Sequence, residues 1–467
     1  MKLSIKKSVS CGILFFALFT ATAITNSSKS TGGVKTVKSS GAAPAASDVS
    51  FAENLNKALQ NGSIDEAIAL FESAPASVED DSALMTLKAS LLLSAGKDSD
   101  AAELASKLLS KEPNNIDILE LNAMVAKSQG NSAKKSQYLK QILALDPKNA
   151  DVYVELGSEQ ALKKSYRSAR DYYRQAVSYA PNNVEALFGY GKMSYYLTND
   201  KDAKDSFEKI LKIDPNNAQA FAYLGKLKGE NREYRAALEY IKKAIASDPT
   251  NSDYFFDLGS YSRYVGDYAG AEKAWTKTTE LEPDYFLGYA YLAGLYDEQN
   301  KTAQALENYR KVVEKNPDYY YAYESLGILA WHAKNYEEAG DAFLNARKYS
   351  KDNPFYALMV AACYEKLGKH QDCRKYTETV MKGMDRKSTE YLLVRMFHDY
   401  AGDGEVATKI QKETIKNKKG KFLYYFALYF DLRGKTELAM KYYNEVVEMK
   451  TPMFFEYRLA EWASKGE

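Results

Sequence analysis

Along most of the chain, large apolar side chains recur three or four positions apart, give way to a short polar turn, and then recur again. Between residues 218 and 251, Phe221, Leu224 and Gly225 fall on one helical face, the spacing of an amphipathic helix. The segment GENREY turns the chain, and a second helix carries Ala237, Ile241 and Ala244 at the same spacing. It closes at Ser247-Asp248-Pro249, because proline lacks an N–H and clashes in a helix interior. Asn216 and Asn217, or their counterparts, then start the next helix. The pattern predicts helix pairs.

The pairs have a fixed period. The stretch KILKIDPNNAQAFAYLGKLKG has counterparts in LALDPKNADVYVELG, AVSYAPNNVEALFGYG, AIASDPTNSDYFFDLG and VVEKNPDYYYAYESLG. Pro113, Pro147, Pro181, Pro215, Pro249, Pro283 and Pro317 each stand 34 residues after the last, the signature of a helical solenoid. Small residues recur where helices should cross closely: Gly157, Gly191, Gly225, Gly259, Ala293, Gly327 and Ala361. Their partners on second helices are Ala169, Ala203, Ala237, Ala271, Ala305 and Ala339, with Tyr173, Phe207, Ile241, Trp275, Tyr309 and Phe343 filling the space between.

This period and order of small and large residues resembles the tetratricopeptide repeat (TPR) family. Tyr153, Leu156, Gly157, Ala169, Tyr173 and Pro181 meet its pattern in the repeat starting at Ala150, and Phe255, Leu258, Gly259, Ala271, Trp275 and Pro283 in the repeat starting at Ser252. The register extends to Phe51, Ala67 and Phe71 on one side, and to Ala357, Cys373, Tyr391 and Ala407 on the other. After a slip of two residues, Phe426, Ala427, Ala439 and Tyr443 form a last repeat. The resemblance implies an all-α, right-handed superhelical solenoid of about twelve 34-residue helix hairpins.

Regular repeats are expected over 48–387, degenerate ones over 388–450, and a capping helix over 451–467, with Phe455, Leu459 and Trp462 covering the last repeat. Two residues break the pattern: Lys135 stands where alanine is usual and Arg395 where glycine is usual. A long basic stem can snorkel to water. The alternative, which we prefer for Arg395, is a joint between residues 388 and 420.

The N-terminus is different. Lys2, Lys6 and Lys7 precede CGILFFALFTATAI, and Ala21-Thr22-Ala23 offers small residues for cleavage, so residues 1–24 read as a signal peptide or an N-terminal anchor. Cys11 starts the apolar run, whereas a lipid-modified cysteine should end it, so lipidation is not expected. Residues 25–47, rich in Ser, Gly and Ala, read as a flexible tether. The chain is thus expected to be exported, periplasmic or cell-envelope associated, with inner-membrane anchoring through its N-terminus as a variant of that reading.

Charge adds little beyond an exclusion. With 63 basic and 62 acidic side chains mixed along every segment, no phosphate-tracking surface is expected, and nucleic acid is disfavoured as a partner. His332, His370 and His398 lie in separate repeats without a metal-binding spacing. Phosphate-cradling and nucleophile-elbow motifs are missing, so neither an enzyme nor a cofactor is expected. Cys363 and Cys373 lie ten apart across one hairpin. Export would allow a disulfide between them, while cysteine is also a common small core residue.

Many of the 38 tyrosines occupy packing positions, and others do not. In the family, the second, fifth, ninth, twelfth and thirteenth residues of a repeat line the concave wall. The resemblance places there Phe188, Lys192, Tyr195 and Tyr196, then Phe256, Arg263 and Tyr264, then Tyr321, Glu324, Trp331 and His332. Exposed aromatics flanked by charge suit protein or peptide recognition. The bland alternative is local packing between neighbouring first helices. The lysine–asparagine clamp for acidic C-terminal peptides is absent, since the fifth and ninth residues are Phe188 and Lys192, Ala222 and Lys226, Phe256 and Ser260. The expected function is a non-enzymatic scaffold or adaptor in envelope assembly, secretion or motility. The alternative is an envelope glycan-binding protein that stacks sugars on the aromatic wall.

Overall fold

The computed structural model describes residues 46–351, 353–450 and 453–466. The expected signal segment, most of the tether and Cys11 lie outside the described residues; Ala46 and Ser47 already belong to the first helix. Among the described residues the chain forms twelve successive helix hairpins, a one-turn helix Ala76–Glu79 after the first of them, and a terminal helix, Phe455–Lys465. They divide into two compact bodies, one ending at Ile213 and the other beginning at Asp214.

The local rules repeat with the period. Asn149, Asn183 and Asn217 cap the helices that follow, their side chains accepting from the backbone N–H of Val152, Ala186 and Ala220 at 2.9–3.0 Å. Such a cap satisfies an N–H that has no partner within the helix. Inside each hairpin the turn passes through a left-handed residue: glycine at Gly62, Gly96, Gly130, Gly266, Gly368 and Gly434, a non-glycine at Lys164, Thr198, Arg232, Asn300 and Lys334, and both Tyr400 and Gly402 in the short pair. The following N–H then bonds back to the carbonyl five residues earlier, as from Asn199 to Ser194 and from Asp267 to Ser262, both at 2.9 Å. This is the Schellman closure of a helix C-terminus.

The small residues have a definite cause. A Cβ on Gly157 would come within 3.0 Å of the Tyr173 ring, on Gly191 within 3.0 Å of Phe207, on Gly259 within 2.5 Å of Trp275, and on Gly327 within 2.9 Å of Phe343. In each case the aromatic belongs to the second helix of the same repeat. Where that residue is Ile241, the space at Gly225 relaxes to 3.4 Å.

In the N-terminal body each helix packs within its own repeat or on the adjacent one. Separate clusters of its core run from Phe51 to Val125, from Leu119 to Val152 and from Val154 to Met193. Lys135 does not snorkel to water. It is buried, with Nζ 2.5 Å from Glu155 in the next repeat, and Glu155 also pairs with Lys127 at 2.9 Å. An acid within reach replaces solvation as the means of holding that charge.

The C-terminal body begins with the same regular hairpins and then closes on itself. The pair at 388 is shortened to Thr389–Asp399 and Asp403–Lys412, and Arg395 lies on the surface, paired with Asp399 at 3.0 Å. The 17-residue helix Lys416–Leu432 then packs directly on Pro354–Lys366. One core cluster runs from Ala271 to Ala460 and includes Leu393, Phe397, Val406 and Ile410 of the short pair. Within this body, apolar packing therefore continues through 388–420, where a joint was expected. A buried carboxylate pins three repeats together. Glu365 accepts from the Tyr400 hydroxyl at 2.9 Å and from Arg433 Nη2 at 3.2 Å, with His370 Nδ1 at 3.1 Å.

The terminal helix packs on the last repeat, Lys416–Leu432 and Thr436–Glu448, but not with all three of the side chains expected to cover it. Tyr457 bonds to the Val447 carbonyl at 3.1 Å, and Leu459 and Ala460 are buried. Phe455 and Trp462 instead reach back along the array to Phe343, Tyr356 and His332. Direct packing of Lys416–Leu432 on Pro354–Lys366 brings the tail there.

Candidate functional site

The eleven expected wall residues fall into three groups with different surroundings. In the N-terminal body, the helix Val184–Tyr196 carries Phe188, Lys192, Tyr195 and Tyr196. Phe188 is half-buried against Phe207 at 6.0 Å, and Lys192 Nζ stands 5.9 Å from its ring. Tyr195 touches Tyr196 at 5.7 Å, and Tyr196, 45% exposed, leans on Tyr166 of the preceding repeat at 5.1 Å. One end of this face is thus an aromatic pair open to solvent, with a lysine one turn away.

The helix Ser252–Tyr264 in the C-terminal body repeats that arrangement. Phe256 is half-buried, with the rings of Tyr285 and Tyr291 edge-on to it at 5.6 and 4.8 Å. Tyr264 is 62% exposed and lies flat on Tyr234 of the preceding repeat, with ring centroids 4.4 Å apart and planes 7° from parallel. Arg263 pairs with Glu298 of the next repeat. Beside Phe256, burial pushes the Asp257 carboxyl up, and Lys226 at 2.9 Å opposes that shift.

The third group is occupied. Tyr321 is 63% exposed against Tyr320 at 4.0 Å, but Glu324 accepts from the Tyr356 hydroxyl and Trp331 packs edge-on to Tyr336 at 5.1 Å. His332 stacks on Trp462 of the terminal helix at 3.9 Å. The register therefore leads to open aromatic faces at two helices and to a filled face at the third.

Several residues that shape these surfaces are not legible from the aromatic pattern. Asp297 stands at the twelfth position of its repeat, on the same register as the wall, and receives two bonds from Arg458 at 2.7 and 2.9 Å. Its register placement was available in the sequence; its distant partner was not. In the N-terminal body, burial raises the carboxyls of Glu120 and Glu185, and neighbouring acids, Asp151 among them, add to the shift. Glu155 experiences the same burial, but hydrogen bonds from Lys135 and Lys127 bring it below the ordinary value.

Cys363 and Cys373 are buried free thiols, and burial pushes both far above the ordinary thiol range. Burial of the neutral form suits a small core residue and leaves little thiolate for reaction. His370 and His398 make local contacts to Glu365 and to Thr377. Among the described residues no group of three or more His, Cys, Asp or Glu is placed to hold a metal, and no helix is long and apolar enough to cross a membrane.

Comparison with known proteins bears on the family. Tetratricopeptide repeat models match residues 163–218, 223–275 and 292–353, and a second such model matches 58–127. Among solved structures, a MamA protein is 26% identical, with 36% of this chain and 92% of that one covered at a TM-score of 0.32. PilF of Pseudomonas aeruginosa is 20% identical, covering 44% and 94% at a TM-score of 0.40. PilW is 17% identical, covering 43% and 94% at a TM-score of 0.39. No curated protein matches the chain. Repeat arrays of this kind present extended binding surfaces for proteins and peptides. With the repeat models spread over about half of its residues, the chain belongs to the tetratricopeptide repeat family.

Proposed function

We propose that this protein is an extracytoplasmic adaptor that holds protein or peptide partners on the wall positions of its repeats, in cell-envelope assembly, secretion or motility. One observation carries the reading: Tyr196 and Tyr264 stand at the same register position in the two bodies, each exposed and each backed by a tyrosine of the preceding repeat. A large amphipathic ring already held by a neighbour loses little entropy on binding, which is why such residues make hot spots. Lys192 and Arg263 beside them supply charge for orienting a partner. Export rests on Lys2, Lys6, Lys7 and the apolar run that follows.

The test is affinity capture from detergent-solubilised envelopes of the organism that encodes the protein. The tagged chain is compared with a variant carrying Tyr195→Ala, Tyr196→Ala and Tyr264→Ala. A protein captured by the parent and lost from the variant supports the reading. Identical recovery by both baits removes these tyrosines from the site.

A further inference from the structure

The terminal helix Phe455–Lys465 packs on both helices of the last repeat and on Tyr321–His332, and three of its side chains reach residues of three consecutive earlier repeats. Phe455 meets Tyr356 at 5.9 Å and Phe343 at 6.0 Å. Arg458 makes a two-pronged ion pair with Asp297. Trp462 stacks on His332 at 3.9 Å and receives the Arg458 guanidinium on its face at 4.3 Å. The three contact residues are spaced three and four apart, so one face of a single helix presents them all. This is how an amphipathic helix binds in a groove.

The fit contains a weak point. Glu456 on the same helix is completely buried, and its Oε2 has no hydrogen-bond partner. Its Oε1 stands 3.1 Å from the Tyr425 hydroxyl, which is also 3.0 Å from the Phe355 carbonyl. A tyrosine has one hydroxyl hydrogen. If that hydrogen goes to Phe355, the contact with Glu456 needs a proton on the carboxyl. Glu324 faces Glu456 from Tyr321–His332, Tyr356 from Pro354–Lys366, and Lys421, Tyr424 and Tyr425 from Lys416–Leu432. Burial pushes the carboxyl up to about 7; Lys421, the residue's own backbone N–H and the Tyr425 hydroxyl oppose the shift, and Glu324 adds to it. A helix serving only as a cap would be held better by an apolar residue at this position.

We propose that the surface formed by Asp297, His332, Phe343 and Tyr356 is a helix-docking groove and that the terminal helix is its internal competitor. The external ligand is an amphipathic helix presenting an aromatic, an arginine and a second aromatic at the spacing of Phe455, Arg458 and Trp462. The inference rests on the reading that wall positions receive partners, and it names one groove and the chemistry of its ligand.

Protons bias the competition with a definite sign. Released, Glu456 titrates near 4.5; docked, near 7. Docking is unaffected below the lower value and weakens as pH rises from there to the upper one. Between pH 6 and pH 8 the affinity of the helix for its groove should fall about ten-fold.

The probe is a labelled peptide of residues 451–467, titrated by fluorescence anisotropy into the full chain and into a release variant, Arg458→Ala with Trp462→Ala. The release variant should bind it at least ten-fold more tightly than the parent, because a tethered competitor acts at roughly millimolar local concentration. Adding Asp297→Ala should abolish the gain, and a Glu456→Gln peptide should bind with no pH slope. Equal affinity for parent and release variant, or no binding to a release variant whose circular dichroism and melting are intact, overturns the proposal. If the release variant does not fold, amide exchange of the parent decides. Exchange over 455–465 at least ten-fold faster than over 436–448 supports the competitor, and equal protection overturns it. Because the ligand is a defined peptide, failure here leaves the tyrosine walls at Tyr196 and Tyr264 standing, and failure of the envelope capture leaves this test intact.

Discussion

The repeats from Ser82 to Ile213 and those from Pro354 to Glu448 follow one 34-residue plan and are held together differently. In the first group helices touch only within a repeat or across to the next, and the core is broken into clusters. In the second, a long helix packs past a shortened hairpin, and a single cluster runs to the terminal helix. Stability in the first case is close to a sum of nearest-neighbour terms. In the second, one side chain can tie three repeats, so its loss should be felt by all of them.

The buried charges give the sharpest contrast. Glu365→Ala removes the acceptor shared by Tyr400, Arg433 and His370, and should cost about 3 kcal/mol, the low end for breaking a buried pair, because Arg433 retains some solvent. Lys135→Ala puts the family's usual small residue at its site, and Glu155 keeps Lys127 at 2.9 Å. Its effect should stay within about 1 kcal/mol. Urea denaturation followed by circular dichroism measures both. Equal costs would mean that closure adds no cooperativity to the C-terminal repeats.

Close packing offers the next test. A Cβ at Gly189 would sit 2.3 Å from the Tyr173 ring, whereas at Gly225 the nearest atom is 3.4 Å away. Gly189→Ala should destabilise by about 1–3 kcal/mol through overpacking. Gly225→Ala should be neutral or stabilise by up to about 1 kcal/mol, the helix-propensity gain over glycine. Thermal melts of the two variants should therefore move in different directions or by clearly different amounts.

These cases show what the sequence could convey. The 34-residue proline spacing gave the hairpins, and the match between a small residue early in a repeat and an aromatic late in it gave the packing. Phe207 over Gly191 and Trp275 over Gly259 are local pairs, 16 residues apart. Contacts between distant parts of the array carry no such signal. Arg458 and Asp297 are joined across 161 residues, and Tyr425 and Phe355 across 70. The aromatic register therefore could not distinguish exposed positions such as Tyr196 and Tyr264 from His332, which the tail covers. Burial of Lys135 was missed for a similar reason, since its acid partner stands in the next repeat.

Backbone strain should be smaller and should act through one turn. Thr198 is a β-branched residue at φ 55°, in the turn position that Gly130 and Gly266 hold in other repeats. Left-handed backbone disfavours L-residues by roughly 1–2 kcal/mol, less the entropy that glycine loses on folding. Thr198→Gly should stabilise the protein by about 1 kcal/mol in a thermal melt. A loss instead would show that the hydroxyl bond from Thr198 to the Leu197 carbonyl outweighs the strain.

The smallest effect on stability should carry the largest effect on binding. Tyr264 and His332 occupy the same register position in repeats of one body, yet Tyr264 faces solvent over Tyr234 and His332 lies under Trp462. Tyr264→Ala should change folding free energy by only about 0.5 kcal/mol, the modest value of an exposed ring pair. It should weaken a partner of the open wall by about 2 kcal/mol or more, roughly thirty-fold, if the ring is a hot spot. His332→Ala should leave that partner untouched and loosen the tail, raising amide exchange over 455–465. Titrating any captured partner against both variants separates the two faces. A partner equally sensitive to Tyr264 and His332 would place binding and tail on one continuous surface, and the distinction between open and filled repeats would have to be abandoned.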